Sequence, residues 1–446
     1  MKPTIQFFVC TAVLLGLCLA APLPSAQGAS LHAGYADVDI APPLGVFMPG
    51  YFADRRAEGV LDPLRAKALV LSQGETQLAI VAVDLLWVPR DLVLQIGEAV
   101  QKKAGIEPHA LFLHATHTHT GADPNAIAER LCEAVSDAVQ RAKAGLTAIA
   151  EPAYGHAEED SVAFIRRFLM KDGTVRTNPG RSNPDVIRPI GAIDPTLHTV
   201  VFPEAKTLLV SYGLHLDCMG GILYSADYPH HLTQGVKEQL GPEWNVLYLN
   251  ACCGNVNHID VNNPTQRSSY EESRRIGRVL ADATVQAYRA ATPLAVDSIA
   301  IAKETVMCPV RSVPSDWVEW AKSETVKDAT AAAVRRFNEE TPEKILELEA
   351  CKGESDPADI TALRLGSLGI VGLPAEVFVE VARDVQTHSL PAPTLVIGLT
   401  GGSMGYLPHH RGYQEGGYEA TFGSARYADS TPEHWAATAA RLLNGL

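Results

Sequence analysis

Short apolar runs of strand length recur along this 446-residue chain, and between them lie longer stretches with the period of an amphipathic helix. Strands alternating with helices leave few packing solutions, so the expected class is α/β, with mixed β-sheets flanked by helices. Candidate strands are Ala66–Ser72, Leu78–Val83, Ala110–Ala115, Thr207–Leu214, Val246–Asn250, Leu363–Val371 and Thr394–Gly398. Candidate helices are Arg90–Ala104, Ala126–Ala144, His231–Leu240, Tyr270–Ala290, Val318–Phe337 and Glu376–Gln386. The polar segment 313–357, rich in Ala, Glu and Lys, reads as a helical insertion on the outside. No internal repeat and no low-complexity linker is visible, which predicts one domain over residues 29–446.

The first residues place Lys2 ahead of an apolar run from Ile5 to Ala21 and end in small residues, the layout of a signal peptide over 1–28, with cleavage near Gly28. Pro22 and Pro24 interrupt the run, so no stable membrane anchor is expected, and the mature protein is expected to be secreted or periplasmic. Leu17 before Cys18 is too large for a lipoprotein acylation site. A net charge of −14 with no Lys/Arg-rich run argues against nucleic acid and anionic lipid as partners, and fits an uncharged or cationic small molecule better. Cys132, Cys218, Cys252, Cys253, Cys308 and Cys351 show no CxxC spacing, so a structural zinc knuckle is unsupported. Nothing in the sequence defines an oligomeric state.

The chemistry collects where apolar strands end. Leu111–Asn125 runs from a strand into a polar loop with His114, His117 and His119. In extended backbone His117 and His119 face the same side. They can share a metal, or one can bind it while the other works beside it; a hydrogen-bonded pair in a surface loop has the same spacing. TLLVSYGLHLD brings His215 to another strand end with Asp217 beside it, and SLGIVGLPAE ends with Pro374 opening a helix and Glu376 in its first turn. A carboxylate at a helix start is favourable for dipole reasons alone, but open α/β sheets build sites beyond strand carboxyl ends, and three potential ligands converge there. A Gly-rich loop after Thr394–Gly398 adds Tyr406, Tyr413, Tyr418, His409, His410 and Glu419 as ligands or wall residues.

The runs ATHTHTGADPN, GLHLD, LPAEVFVE and GYLPHHRGYQEGGYE, in this order, resemble neutral ceramidases, as does the opening ADVDIAPPLGVFMPGY. The resemblance covers most of the mature chain. It implies a ceramidase-like catalytic domain with one zinc ion per chain, held by His117, His215, Glu376 and Tyr413, and activating water. It implies His119 beside the metal as an oxyanion or water partner, with Arg166 or Arg167 as the active-site arginine. Asn257, Asp227, His230, His409 and Tyr418 become candidates for the substrate-facing wall.

Three features depart from the family pattern. Asn257 stands where the family has a serine and Asn255 where it has an aspartate; Phe422 stands where it has a tyrosine; and no C-terminal β-sandwich domain follows. The leading expectation is therefore a zinc amidohydrolase acting on an N-acyl compound, small or lipid-like. A smaller polar ester or sugar-derived substrate, processed by hydrolysis or elimination, is the alternative, and an exported metal-binding protein without activity is the third.

Overall fold

The computed structural model describes residues 29–51, 53–324 and 340–446; the leader expected over 1–28 lies outside them. Its sheets are mixed and flanked by helices, as expected, but they are assembled by a repetition that the sequence does not display. One succession of elements occurs three times. A leading strand pairs with an antiparallel hairpin, a helix crosses over to a strand parallel to the hairpin's second strand, and a second helix packs beside the first. The first unit uses Leu31–Asp39, the hairpin Arg65–Gln73 and Thr76–Val83, helix Arg90–Ala104, strand Leu111–Ala115 and helix Ala128–Ala144. The second uses Ala153–Glu158, Thr196–Phe202 and Thr207–Tyr212, helix Tyr228–Leu240, strand Asn245–Asn250 and helix Tyr270–Arg289. The third uses Ile299–Pro309, Ser355–Leu365 and Leu368–Gly372, helix Val379–His388, strand Thr394–Ile397 and helix Thr431–Gly445.

Local chemistry explains these elements. The strands nearest each parallel pairing are buried at nearly every position, because both faces are covered, and so they read as continuous apolar runs such as TLLVSY and LGIVG. The leading strands are only partly buried, as in Leu31–Asp39, where exposed Asp37 and Asp39 interrupt the apolar positions, so they leave a weaker pattern in the sequence. Helix Tyr270–Arg289 is capped by the Ser269 hydroxyl, which accepts from the Glu272 N–H, and it turns Ile276, Leu280 and Ala281 into the core.

Two readings need correction. Leu363–Val371 is not one strand but the turn of a hairpin. Gly366 adopts φ +59°, and a Cβ there would lie 1.9 Å from the Ala295 carbonyl oxygen. The helix expected from Glu376 begins at Val379; Glu376 and Val377 form a short strand paired in parallel with Tyr406 and Leu407. Segment 313–357 contains the helices Ser315–Glu324 and Pro342–Ala350, while its end, from Ser355, belongs to a strand. These helices bury a small cluster of their own, including Val318, Ile345 and Leu348. Phe422 packs there too, with the Arg311 guanidinium over its ring, rather than beside the polar strand ends.

The three units meet at the ends of their parallel strands. Bridges join His114 to Thr400 and Ala251 to Ile397. His114 ties all three together: its Nδ1 lies 2.9 Å from the Gly398 oxygen, and its Nε2 accepts the Asn250 N–H at 3.0 Å. Burial lowers its pKa to about 3, so this imidazole is a neutral structural link. Among the described residues all six cysteines from Cys132 onward are unpaired, and no helix is long and apolar enough to cross a membrane.

Candidate metal centre

His117 and His119 leave the end of Leu111–Ala115, His215 leaves Thr207–Tyr212, and Glu376 follows Leu368–Gly372. The junction of the three units therefore gathers them at one point. His117 Nε2 lies 3.0 Å from His215 Nε2 and 3.2 Å from Glu376 Oε2; His215 Nε2 is 3.6 Å from the same oxygen. One ring nitrogen from each of His117, His119 and His215 lies within 4.8 Å of the other two, close enough to hold a metal ion. The backbone is not simply extended here, because His117 takes φ +81°, held by its N–H to the Leu85 oxygen. Strain of this kind persists where the surroundings over-determine it.

Second partners define the tautomers. A backbone carbonyl can only accept, so Nδ1 of His117, 3.0 Å from the Leu86 oxygen, carries the proton, as does Nδ1 of His119, 3.0 Å from the Gly50 oxygen. In both rings Nε2 is then the nitrogen left to face the common point. Gly50 makes this possible: it has φ +108°, and a Cβ there would come within 2.8 Å of His119 Nδ1. Burial lowers the pKa of His119 to about 4, and burial followed by Arg166 holds His215 well below the ordinary histidine range. Burial acts the same way on His117, but the Glu376 carboxylate outweighs it and raises the value. Burial would raise Glu376; His117 and His215 nevertheless hold it below the usual carboxylate range.

Arg166 lies against this group. It donates from Nε to Glu419 Oε1 at 2.7 Å and from an η nitrogen to the Gly254 oxygen at 2.7 Å. Arg167 points away, to Glu415 and to the Gly412 and Gly416 oxygens, which decides between the two arginines. The surrounding cavity, about 360 Å³, is lined by Tyr51, Leu86, Trp87, Asn178, Asp217, Tyr406 and Tyr418 together with Arg166, Glu376 and the three histidines. Arg55 braces its rim by donating to the oxygens of Met48, Pro49, His119 and Gly221.

Several expected residues fall elsewhere. Tyr413 is not at the centre; its phenol is buried beside Arg311, and Asp429, Glu433 and Cys308 are its polar surroundings. The tyrosine next to Glu376 is Tyr406, brought there by the strand pairing and lining the same cavity. Asn257 is wholly buried behind the wall and donates to Asn178 Oδ1, so Asn178 is the residue that reaches the cavity. Asp227, also fully buried, caps helix Tyr228–Leu240 and accepts the Cys218 N–H. His230 sits 4.0 Å from Asp62, and His409 packs near Phe378; neither lines the cavity. Tyr418 does. Tyr51, Trp87 and Asn178 escaped sequence reading because each comes from a loop whose place depends on distant contacts.

The donor set fits a divalent cation. Two imidazole nitrogens 3.0 Å apart, each within 3.6 Å of one carboxylate oxygen, converge on a single point as the ligands of one cation do. Among the buried side-chain atoms left without a hydrogen-bond partner are Glu376 Oε2 and His119 Nε2. Two imidazoles and a carboxylate, with a third imidazole adjacent, suit a borderline metal with an open position.

No protein-family model matches this sequence, and no curated protein matches it. Solved structures do. The crystal structure of neutral ceramidase from Pseudomonas aeruginosa superposes with a TM-score of 0.70 at 17% identity, over 94% of this chain and 74% of that one. A ceramidase complexed with C2 gives a TM-score of 0.71 at 17% identity, over 94% and 75%. The chain has the neutral ceramidase fold.

Proposed function

We propose that this protein is a zinc-dependent amidohydrolase that cleaves an N-acyl bond with water and acts after export. The observation that carries the reading is the convergence of His117, His215 and Glu376 within 3.6 Å, with His119 Nε2 unpartnered beside them. The shared fold with neutral ceramidases supports it. His117, His215 and Glu376 are the proposed zinc ligands, which leaves a position open, as catalytic zinc sites do. Zinc bound there supplies a Lewis acid and a water-derived nucleophile at neutral pH.

The chain's own groups do the rest. His119, neutral and protonated on Nδ1, presents a lone pair that takes a proton from water and returns it to the departing amine. This makes it a water partner rather than an oxyanion donor. Arg166, fixed by Glu419 and the Gly254 oxygen, places positive charge where negative charge develops on the carbonyl oxygen. Tyr406 and Tyr418 border the same space.

The wall argues for a compact substrate. A cavity of about 360 Å³ lies at the small end of ligand pockets, and Asn178, Asp217 and Arg166 interrupt its apolar surface. Burying a long alkyl chain gains roughly 0.8 kcal/mol per CH₂ only where an apolar wall receives it. A larger cavity, about 590 Å³ and lined by Phe164, Ile165, Phe168 and Ile187, uses the sequence neighbours of Arg166, and it is what favours the second reading, a long-chain substrate. A comparison of kcat/KM for a short N-acyl amide, a polar ester and a long-chain ceramide, each with and without chelator, tests both. The short amide is expected to be turned over best, and only without chelator. Preference for the long-chain ceramide would transfer the reading to the larger cavity, and chelator-insensitive turnover would remove zinc from it.

A further inference from the structure

One charged group in the cavity has no part in the proposed chemistry. Asp217 lies on its wall two residues beyond His215, with its side chain 18% exposed. Its Oδ1 is 3.2 Å from His258 Nδ1, and His258 Nε2 is 3.0 Å from the Ser268 hydroxyl. An ionised carboxylate only accepts, so His258 donates to it through Nδ1, while its Nε2 shares a hydrogen bond with the Ser268 hydroxyl. His258 is fully buried, and next to Ser268 the backbone N–H of Ser269 is anchored on the Cys218 oxygen. The carboxylate is thus held from behind by a line of two hydrogen bonds that runs through the buried His258 ring. Its Oδ2 receives no hydrogen bond from any described residue.

The nearby cations are already committed. Arg166 is bound by Glu419 and Gly254, and Arg55 by four backbone oxygens. Neither donates to Asp217. A partly desolvated carboxylate aimed into a cavity is costly unless something that enters the cavity completes it.

The geometry points to Asp217 as a specificity-determining residue that receives an ammonium group carried on the amine side of the substrate. The preferred substrates are then N-acyl derivatives of diamines or of other amines bearing a second, protonated nitrogen. The net charge of −14 favours the approach of such cations. This inference rests on the amidohydrolase reading for the word substrate, but its test is a binding measurement that requires no turnover.

The probes are N-(4-aminobutyl)methanesulfonamide and N-pentylmethanesulfonamide, which differ in an ammonium against a methyl group and cannot be hydrolysed as amides. Calorimetric titration of the zinc-loaded full chain at low salt is expected to show the ammonium probe binding at least about tenfold more tightly, a charge-assisted hydrogen bond's difference. Asp217→Asn should bring the two probes to within about threefold while zinc content and the circular dichroism spectrum stay unchanged, and Asp217→Ser, smaller and also uncharged, should do the same. Equal binding by the unsubstituted protein, or discrimination that survives in both variants, would overturn the assignment. Loss of zinc from the variants would overturn it too, by placing Asp217 in the metal site. Failure to hydrolyse any amide would count against the enzymatic reading and leave this result standing.

Discussion

His119→Ala is expected to keep its zinc and lose about 10²–10⁴ in kcat on an N-acyl amide, the usual contribution of a positioned acid–base group. The size of the effect follows from how the ring is held. Nδ1 is occupied by the Gly50 oxygen, the ring packs edge-on against Tyr51 at 5.3 Å between centroids, and Nε2 is left without a partner in the cavity. The backbone bonds of residue 119, its N–H to the Leu216 oxygen and its oxygen to Arg55, do not involve the side chain, so the loop survives the substitution. Single-turnover kinetics with parallel metal analysis provide the check. Should His119→Ala lose the metal while His117→Ala retains it, the two histidines have exchanged roles.

Glu419→Ala is expected to destabilise the fold by about 3–5 kcal/mol, read as a lower urea midpoint at unchanged slope. Glu419 is completely buried between two buried arginines. Oε1 takes the Arg166 Nε–H at 2.7 Å, Oε2 takes the Thr177 hydroxyl at 2.6 Å, and Arg167 Nε is 3.6 Å from Oε2. Removing the carboxylate leaves the buried Arg166 guanidinium with no acidic hydrogen-bond partner, while Arg167 keeps Glu415, and the penalty of the uncompensated Arg166 charge is larger than the interaction is worth as a pair. Because Arg166 lines the cavity, turnover should fall as well. Glu419→Gln, which keeps the shape and one acceptor oxygen, should lie between. A shift below about 1 kcal/mol for Glu419→Ala would mean that water reaches the pair and that Arg166 is held by Gly254 alone.

What the sequence discloses and what it hides follow from range. Polar residues directly after apolar strands, His117, His215 and Glu376, are readable as convergent because a strand end is a local feature and α/β sheets gather such ends. The choice of tyrosine is not local. Tyr406 rather than Tyr413 reaches Glu376 because two residues on each side form a parallel pair, too short to leave a periodic signal. Asn178 stands in for Asn257 through one hydrogen bond between segments 79 residues apart. The threefold recurrence of strands and helices is invisible for a related reason. A hydrophobic pattern is enough to rebuild the topology, and nothing in packing requires Leu111–Ala115, Asn245–Asn250 and Thr394–Ile397 to share residues. His114 shows the opposite error that spacing invites: it stands in the same loop-entering run as His117 and His119, yet it joins the three units in the core.

The central claim, that the ends of these strands form one catalytic zinc site, is tested most directly by counting metal. Elemental analysis of the purified full chain after zinc loading and extensive dialysis is expected to give about one zinc ion per chain, with His215→Ala and Glu376→Ala near zero under the same treatment and both still folded by circular dichroism. Full occupancy in both variants, or an unsubstituted chain that retains none, would contradict it.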